Sequence, residues 1–168
     1  GERPKAIFWP GRCVKYQVNE EGTDDFPRSN NGTIDEDSRL YELVVEAFDR
    51  WNAPDCSDFT MVSGGLTSES DAEFNREGGN TNLVVWRDRE WPYSSRTTFA
   101  LTSVTFTTGG KIRDADMEFN TAVYDFTHVN NPGNPGESAK VDFLNTVMHE
   151  IGHFLGLDTA SAAVLVAA

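Results

Sequence analysis

The stretch KVDFLNTVMHEIGHFLGLD, Lys140 to Asp158, constrains the chain more than any other. From about Ser138 to Leu155 the apolar residues Val141, Leu144, Val147, Met148, Ile151 and Leu155 recur at helical spacing, which predicts a helix with one face buried. His149 and His153 are four apart, so both imidazoles leave that helix on the same side, one turn apart. Such a pair can grip one metal ion, and Glu150, next to the first histidine, can reach a water at that ion and take its proton. Gly156 is placed to end the helix in the left-handed conformation. Gly152 removes a side chain where another segment is expected to pass close.

A helix of this kind needs a sheet to lie on, and the preceding sequence supplies one. CVKYQVNEEG alternates Val14, Tyr16 and Val18 with polar residues, the period of a half-buried strand. DEDSRLYELVVEAFDRWNAP gathers Leu40, Val44, Ala47, Phe48 and Trp51 on one helical face, with acidic residues at its start and Pro54 just past its end. DFTMVSG and NTNLVVWRD read as two further strands, and RTTFALTSVTF with KIRDADMEFN reads as a hairpin turning at TTGG, where Gly109 and Gly110 are expected to supply positive φ. Thr121 to Glu137, ending in NNPGNPG, is expected to be irregular and at the surface. No internal repeat is visible.

The chain has 168 residues, enough for a single domain with one core. With 27 acidic and 14 basic side chains its formal charge is −13, which repels phosphate backbones and anionic lipid. Nucleic acid and membrane are therefore not expected partners. The carboxylates either solubilise the surface or, in part, hold calcium. No apolar run reaches a membrane span, and no basic-then-apolar signal opens the chain, so it reads as cytosolic or already processed.

Cys13 and Cys56 tip that choice. They flank the first strand and first helix, and a bridge between them would close a loop of about 40 residues, contributing about 4 kcal/mol in the chain-entropy picture. A bridge would imply an oxidising compartment, and secretion is expected on that ground. The alternative is two free buried thiols.

HEIGHFLGLD resembles the metzincin zinc-peptidase signature HExxHxxGxxH, and within it the matrixin form HEIGHxLGLDH. AFDRWNA in the first helix and TTGGKIRDADMEFN before the last are similar to the matching helix and strand of secreted bacterial matrixin-like enzymes, so the likeness runs from Cys13 to Asp158. The resemblance implies an α+β zincin-like domain: a twisted, mostly parallel or mixed sheet, a backing helix and an active-site helix. It implies zinc held by His149 and His153, Glu150 as the catalytic residue, and Gly156 where the chain turns below the metal. It also implies that the strand bearing Phe99, Leu101, Val104 and Phe106 is the edge along which a substrate peptide lies antiparallel; simple packing is the other role open to these residues.

The likeness breaks at its end. Thr159 stands where the family has its third ligand, a histidine, and a neutral hydroxyl is a poor substitute for imidazole. Asp158 is the strong donor nearby, one residue early; its other reading is a loop carboxylate bonding backbone amides. TASAAVLVAA offers no methionine-bearing turn, so the C-terminal subdomain is expected to be truncated after about residue 158. His128 is either a surface residue or part of a second metal site. Asp114, Asp116 and Glu118 alternate along one strand face and are expected to be exposed, or else to hold calcium. Trp86 and Trp91 are expected in the core or at a cleft rim.

The sequence thus leads to a single, monomeric, secreted domain, 1–168, that hydrolyses peptide bonds in extended protein or peptide substrates with zinc, and with calcium as a possible second cation. The competing expectation is a non-catalytic, degenerate metzincin-fold protein that binds peptides or metal.

Overall fold

The computed structural model describes residues 6–94, 97–128, 140–157 and 163–167, the last five by their backbone alone. The architecture is α+β. Chain order is β1 (Cys13–Asn19), α1 (Arg39–Asn52), β2 (Thr60–Thr67), β3 (Asn82–Trp86), β4 (Ala100–Phe106), β5 (Ile112–Phe119), β6 (Phe126–Thr127), β7 (Val141–Asp142), α2 (Phe143–Phe154) and β8 (Ala163–Ala167). The main sheet runs β2-β1-β3-β5-β4-β8, and β6 pairs with β7 in a separate ribbon. Strands β2, β1, β3 and β5 are mutually parallel; β4 returns antiparallel to β5, and β8 runs parallel to β4.

The apolar periods of the sequence become the core. Val14, Tyr16 and Val18 of β1 are all buried, as the alternation predicts. On α1, Ser38 caps the helix by accepting from the Tyr41 amide, and Leu40, Val44, Ala47 and Phe48 are buried on the expected face together with Leu43 and Tyr41. Phe48 stacks on Tyr16 with ring centroids 3.6 Å apart and meets Phe154 of α2 edge-on at 5.7 Å. Each such fully buried side chain stabilises the fold by about 1.5–3 kcal/mol. Trp86 and Trp91 are both buried, and the Trp86 indole donates to the Asn19 carbonyl.

Four sequence expectations need correction. The last helix begins at Phe143 rather than near Ser138, because Val141 pairs with Phe126 and Asp142 caps the helix by accepting from the Asn145 amide. Phe126, in the stretch expected to be irregular, is 1% exposed and packs on Phe119 and Phe143. In the hairpin turn Gly110 alone has positive φ, at 84°, and a Cβ there would lie 2.4 Å from the Ala6 carbonyl oxygen, so a backbone approach makes glycine necessary. Gly152, by contrast, has Trp51 no nearer than 3.8 Å to the position of a Cβ, an ordinary contact.

The bridge between Cys13 and Cys56 is not formed; both thiols are exposed and unbonded. Cys13 lies opposite Thr60 in the β1–β2 register, and Cys56 sits four residues earlier, in the turn closed by the Ser57 amide on the Pro54 carbonyl. Neither are they the two buried thiols of the alternative. Among the described residues no helix is long and apolar enough to cross a membrane.

The strand expected to be a free edge is not one. Thr102 to Phe106 of β4 pair in parallel with Ala163 to Ala167 of β8, beyond the point where the resemblance ends.

Candidate active site

Helix α2 is held at several points before its polar face comes into play. Phe143, Leu144, Val147, Ile151 and Phe154 are buried beneath it. Two indoles reach its backbone from other elements: Trp51 Nε1 donates to the Met148 carbonyl at 3.0 Å, and Trp9 Nε1 donates to the Phe154 carbonyl at 2.8 Å. The second bond satisfies one of the carbonyls that a helix end leaves without a partner. At the C-terminus Gly156, with φ at 89°, donates to the His153 carbonyl while Leu157 donates to that of Gly152, the paired bonds of a Schellman ending. A Cβ at Gly156 would lie 2.9 Å from Ile7 Cγ1, so glycine is required by space as well as by φ.

That ending has a chemical consequence. It turns the Leu157 carbonyl back to His153 Nδ1 at 2.9 Å. A carbonyl only accepts, so Nδ1 carries the proton and the Nε2 lone pair is free to bind a metal. His153 is 2% exposed, whereas His149 is exposed. Their rings meet at 81° with the two Nε2 atoms 3.2 Å apart. Two nitrogens bound tetrahedrally to one zinc at the usual bond length sit about 3.3 Å apart. The pair therefore has the spacing that two ligands of a single zinc ion would need.

Glu150, between the two histidines in sequence, is buried where they are not both so. It is 3% exposed, and its Oε2 accepts a 2.5 Å hydrogen bond from the hydroxyl of Thr102 on β4. Burial raises its pKa; the Thr102 bond and the two histidines oppose that shift and do not cancel it.

Among the described residues no three His, Cys, Asp or Glu side chains gather closely enough to hold a metal on their own. Asp158 and Thr159, the residues on which a third ligand depends, lie outside the described residues. His128 engages the Arg39 guanidinium at 3.1 Å, an exposed contact.

Asp114, Asp116 and Glu118 are not exposed, as their alternation suggested, but 3%, 2% and 1% exposed. Asp114 and Asp116 lie against the chain between β2 and β3. Asp114 and Asp116 line a cavity of about 120 Å³ with Glu69, Asp71, Asn75 and Asn80. Asp116 accepts from the Leu83 amide at 2.8 Å, while Asp114 Oδ1 has no partner although buried. Burial, and for Asp116 also the neighbouring Asp114, raises both carboxyls, Asp116 to about 9. An orphaned buried carboxylate oxygen in an oxygen-lined cavity is the donor chemistry of a hard cation such as calcium. Glu118 is committed elsewhere, to Arg87 and to the Tyr93 hydroxyl.

Comparison of the chain with protein-family models, with curated proteins and with solved structures found no match. Of the residues above, sequence reasoning anticipated His149, His153, Glu150 and Gly156; it missed Thr102, Trp9 and the indole role of Trp51.

Proposed function

We propose that this chain is a zinc-dependent endopeptidase of the metzincin kind, acting on extended protein or peptide substrates. The observation that carries the reading is the 3.2 Å separation of the His149 and His153 Nε2 atoms, beside a buried carboxylate. An α+β core with a mixed sheet and two helices is compatible with it.

In this reading His149 and His153 hold zinc, with a third donor from Asp158 or from position 159. When bound, the metal supplies Lewis acidity: it acidifies a water and polarises the scissile carbonyl. Glu150 accepts the proton of the attacking water and delivers it to the departing amine, the two proton transfers that amide hydrolysis requires. Burial of Glu150 limits the access of bulk water to its carboxylate. The substrate lies as an added strand on β4, a position that β8 holds in this structure, so substrate and β8 would exclude one another.

Calcium, as a second cation, would take the cavity lined by Asp114 and Asp116 and relieve the unpartnered oxygen there. We further place the protein outside the cell and as a monomer. The cysteine argument for secretion does not support this, since the two thiols are separate; it rests on the likeness of HEIGHFLGLD to secreted enzymes.

Thr159 favours a second reading, a metal- or peptide-binding protein without catalysis. Incubating the purified chain with labelled casein, zinc-loaded and after chelation, separates the two. The endopeptidase reading expects internal cleavage that chelation abolishes and zinc restores. Zinc binding with no cleavage of casein at any enzyme concentration would establish the second reading instead.

A further inference from the structure

The inward face of β4 presents Ala100, Thr102 and Val104 in succession, all buried. Ala100 and Val104 belong to the apolar core; the hydroxyl between them is out of place there unless it has a partner. Its partner is Glu150, 48 residues along the chain, at 2.5 Å from Thr102 Oγ1 to Oε2. The backbone carbonyl of Glu150 lies at 3.3 Å from the same oxygen. A hydroxyl has one proton to donate, and the shorter contact takes it.

We propose that Thr102 is the positioning residue of the general base: its hydroxyl anchors Glu150 Oε2 to the sheet and leaves Oε1 as the oxygen that exchanges protons with the substrate and water. The inference rests on the role given to Glu150 above. A glutamate has three rotatable bonds, and the helix backbone fixes none of the last two. β-branched Thr102, itself held to few rotamers in a strand, fixes the carboxylate from the opposite wall. The sheet thus sets the base while the helix sets the metal ligands, and the two are brought into register by the packing of α2 on β4. Serine keeps the donor; valine keeps the shape of threonine and removes it.

The test compares Thr102→Val, Thr102→Ser and Thr102→Ala in the zinc-loaded chain. Thr102→Val should lower kcat about 10–100-fold, the range for losing an outer partner of a metal site, with KM and bound zinc unchanged. Thr102→Ser should restore most of kcat. Should the valine variant fail to fold, Thr102→Ala takes its place, since Ala100 shows that the strand accepts a methyl. A crystal structure of the zinc-bound valine or alanine variant gives a readout free of activity: the Glu150 side chain should leave its present rotamer or spread over several. An unmoved, singly ordered Glu150 would overturn the inference, as would unchanged kcat or equal losses for serine and valine. If the parent chain cleaves nothing, the endopeptidase reading fails on its own, and the crystallographic comparison still decides what Thr102 does.

Discussion

His153 Nδ1 donates to the Leu157 carbonyl at 2.9 Å, so a residue in the turn after α2 decides which nitrogen of a histidine inside it is free. Because that nitrogen lies 3.2 Å from its counterpart on His149, both imidazoles are presented to one point. Replacing either should remove the site. His149→Ala and His153→Ala are each expected to weaken zinc binding by more than about 100-fold, beyond the loss caused by removing an outer partner. Competition against a chromophoric chelator measures this, and undiminished affinity in either variant would put the metal elsewhere.

Two imidazoles leave half of a tetrahedral shell to other donors. Thr159→His would supply the nitrogen that the signature calls for, and zinc affinity should rise at least about tenfold. Hydrolysis of casein should rise with it. An unchanged affinity would mean that the chain beyond Leu157 does not return to the metal.

Gly156→Ala should destabilise the fold by about 1–2 kcal/mol from the left-handed backbone alone, with a further cost from the 2.9 Å approach to Ile7 Cγ1. Because the same turn carries the Leu157 carbonyl, zinc affinity should fall in parallel. Chemical denaturation and zinc competition on the same preparation test both halves. A stable variant with weakened zinc would mean that the turn serves the metal and not the fold.

The Asp114–Asp116 pair should make stability fall with rising pH. Burial lifts the folded pKa of Asp116 to about 9, against about 3.9 in an unfolded chain. The folded state therefore holds a proton that the unfolded state releases, and the contribution, complete below about pH 4, is lost as pH rises towards 9. Asp116→Asn keeps the bond from the Leu83 amide, gains an amide donor towards Asp114 and removes the titration. Its Tm should exceed that of the parent at pH 8, by about 2–4 °C for each kcal/mol recovered, and the gap should close near pH 4. Calcium should raise the Tm of the parent at pH 8 more than that of the variant. Calorimetry across pH, with and without calcium, provides the comparison.

Local spacing is what made parts of this molecule legible in advance. The buried faces of α1 and β1, the β4–β5 hairpin and the His149–His153 pair all depend on residues within a few positions of one another. Thr102 was hidden because its role arises from contact with a residue 48 positions away, and nothing in FALTSVTF marks one threonine out. Asp114, Asp116 and Glu118 alternate as a solvated strand would; the chain between β2 and β3 folding over the two aspartates, and Arg87 and Tyr93 closing on Glu118, reverse that reading. Phe126 sits in a stretch without a clear apolar period, and it is buried against the aromatic cluster around Phe143. Cys13 and Cys56 looked close by topology, yet register places Thr60 opposite Cys13.

The central claim is that Glu150 moves protons for a metal that it does not hold. Glu150→Gln preserves the shape of the side chain and an oxygen able to accept from Thr102, while removing the basic group. Bound zinc in the purified variant, measured by elemental analysis alongside the rate of casein cleavage, tests the claim most directly. Zinc content should match the parent, and the cleavage rate should drop by at least about 100-fold, the lower end of what a positioned acid–base group contributes. Cleavage within a few-fold of the parent at full zinc occupancy would contradict the account.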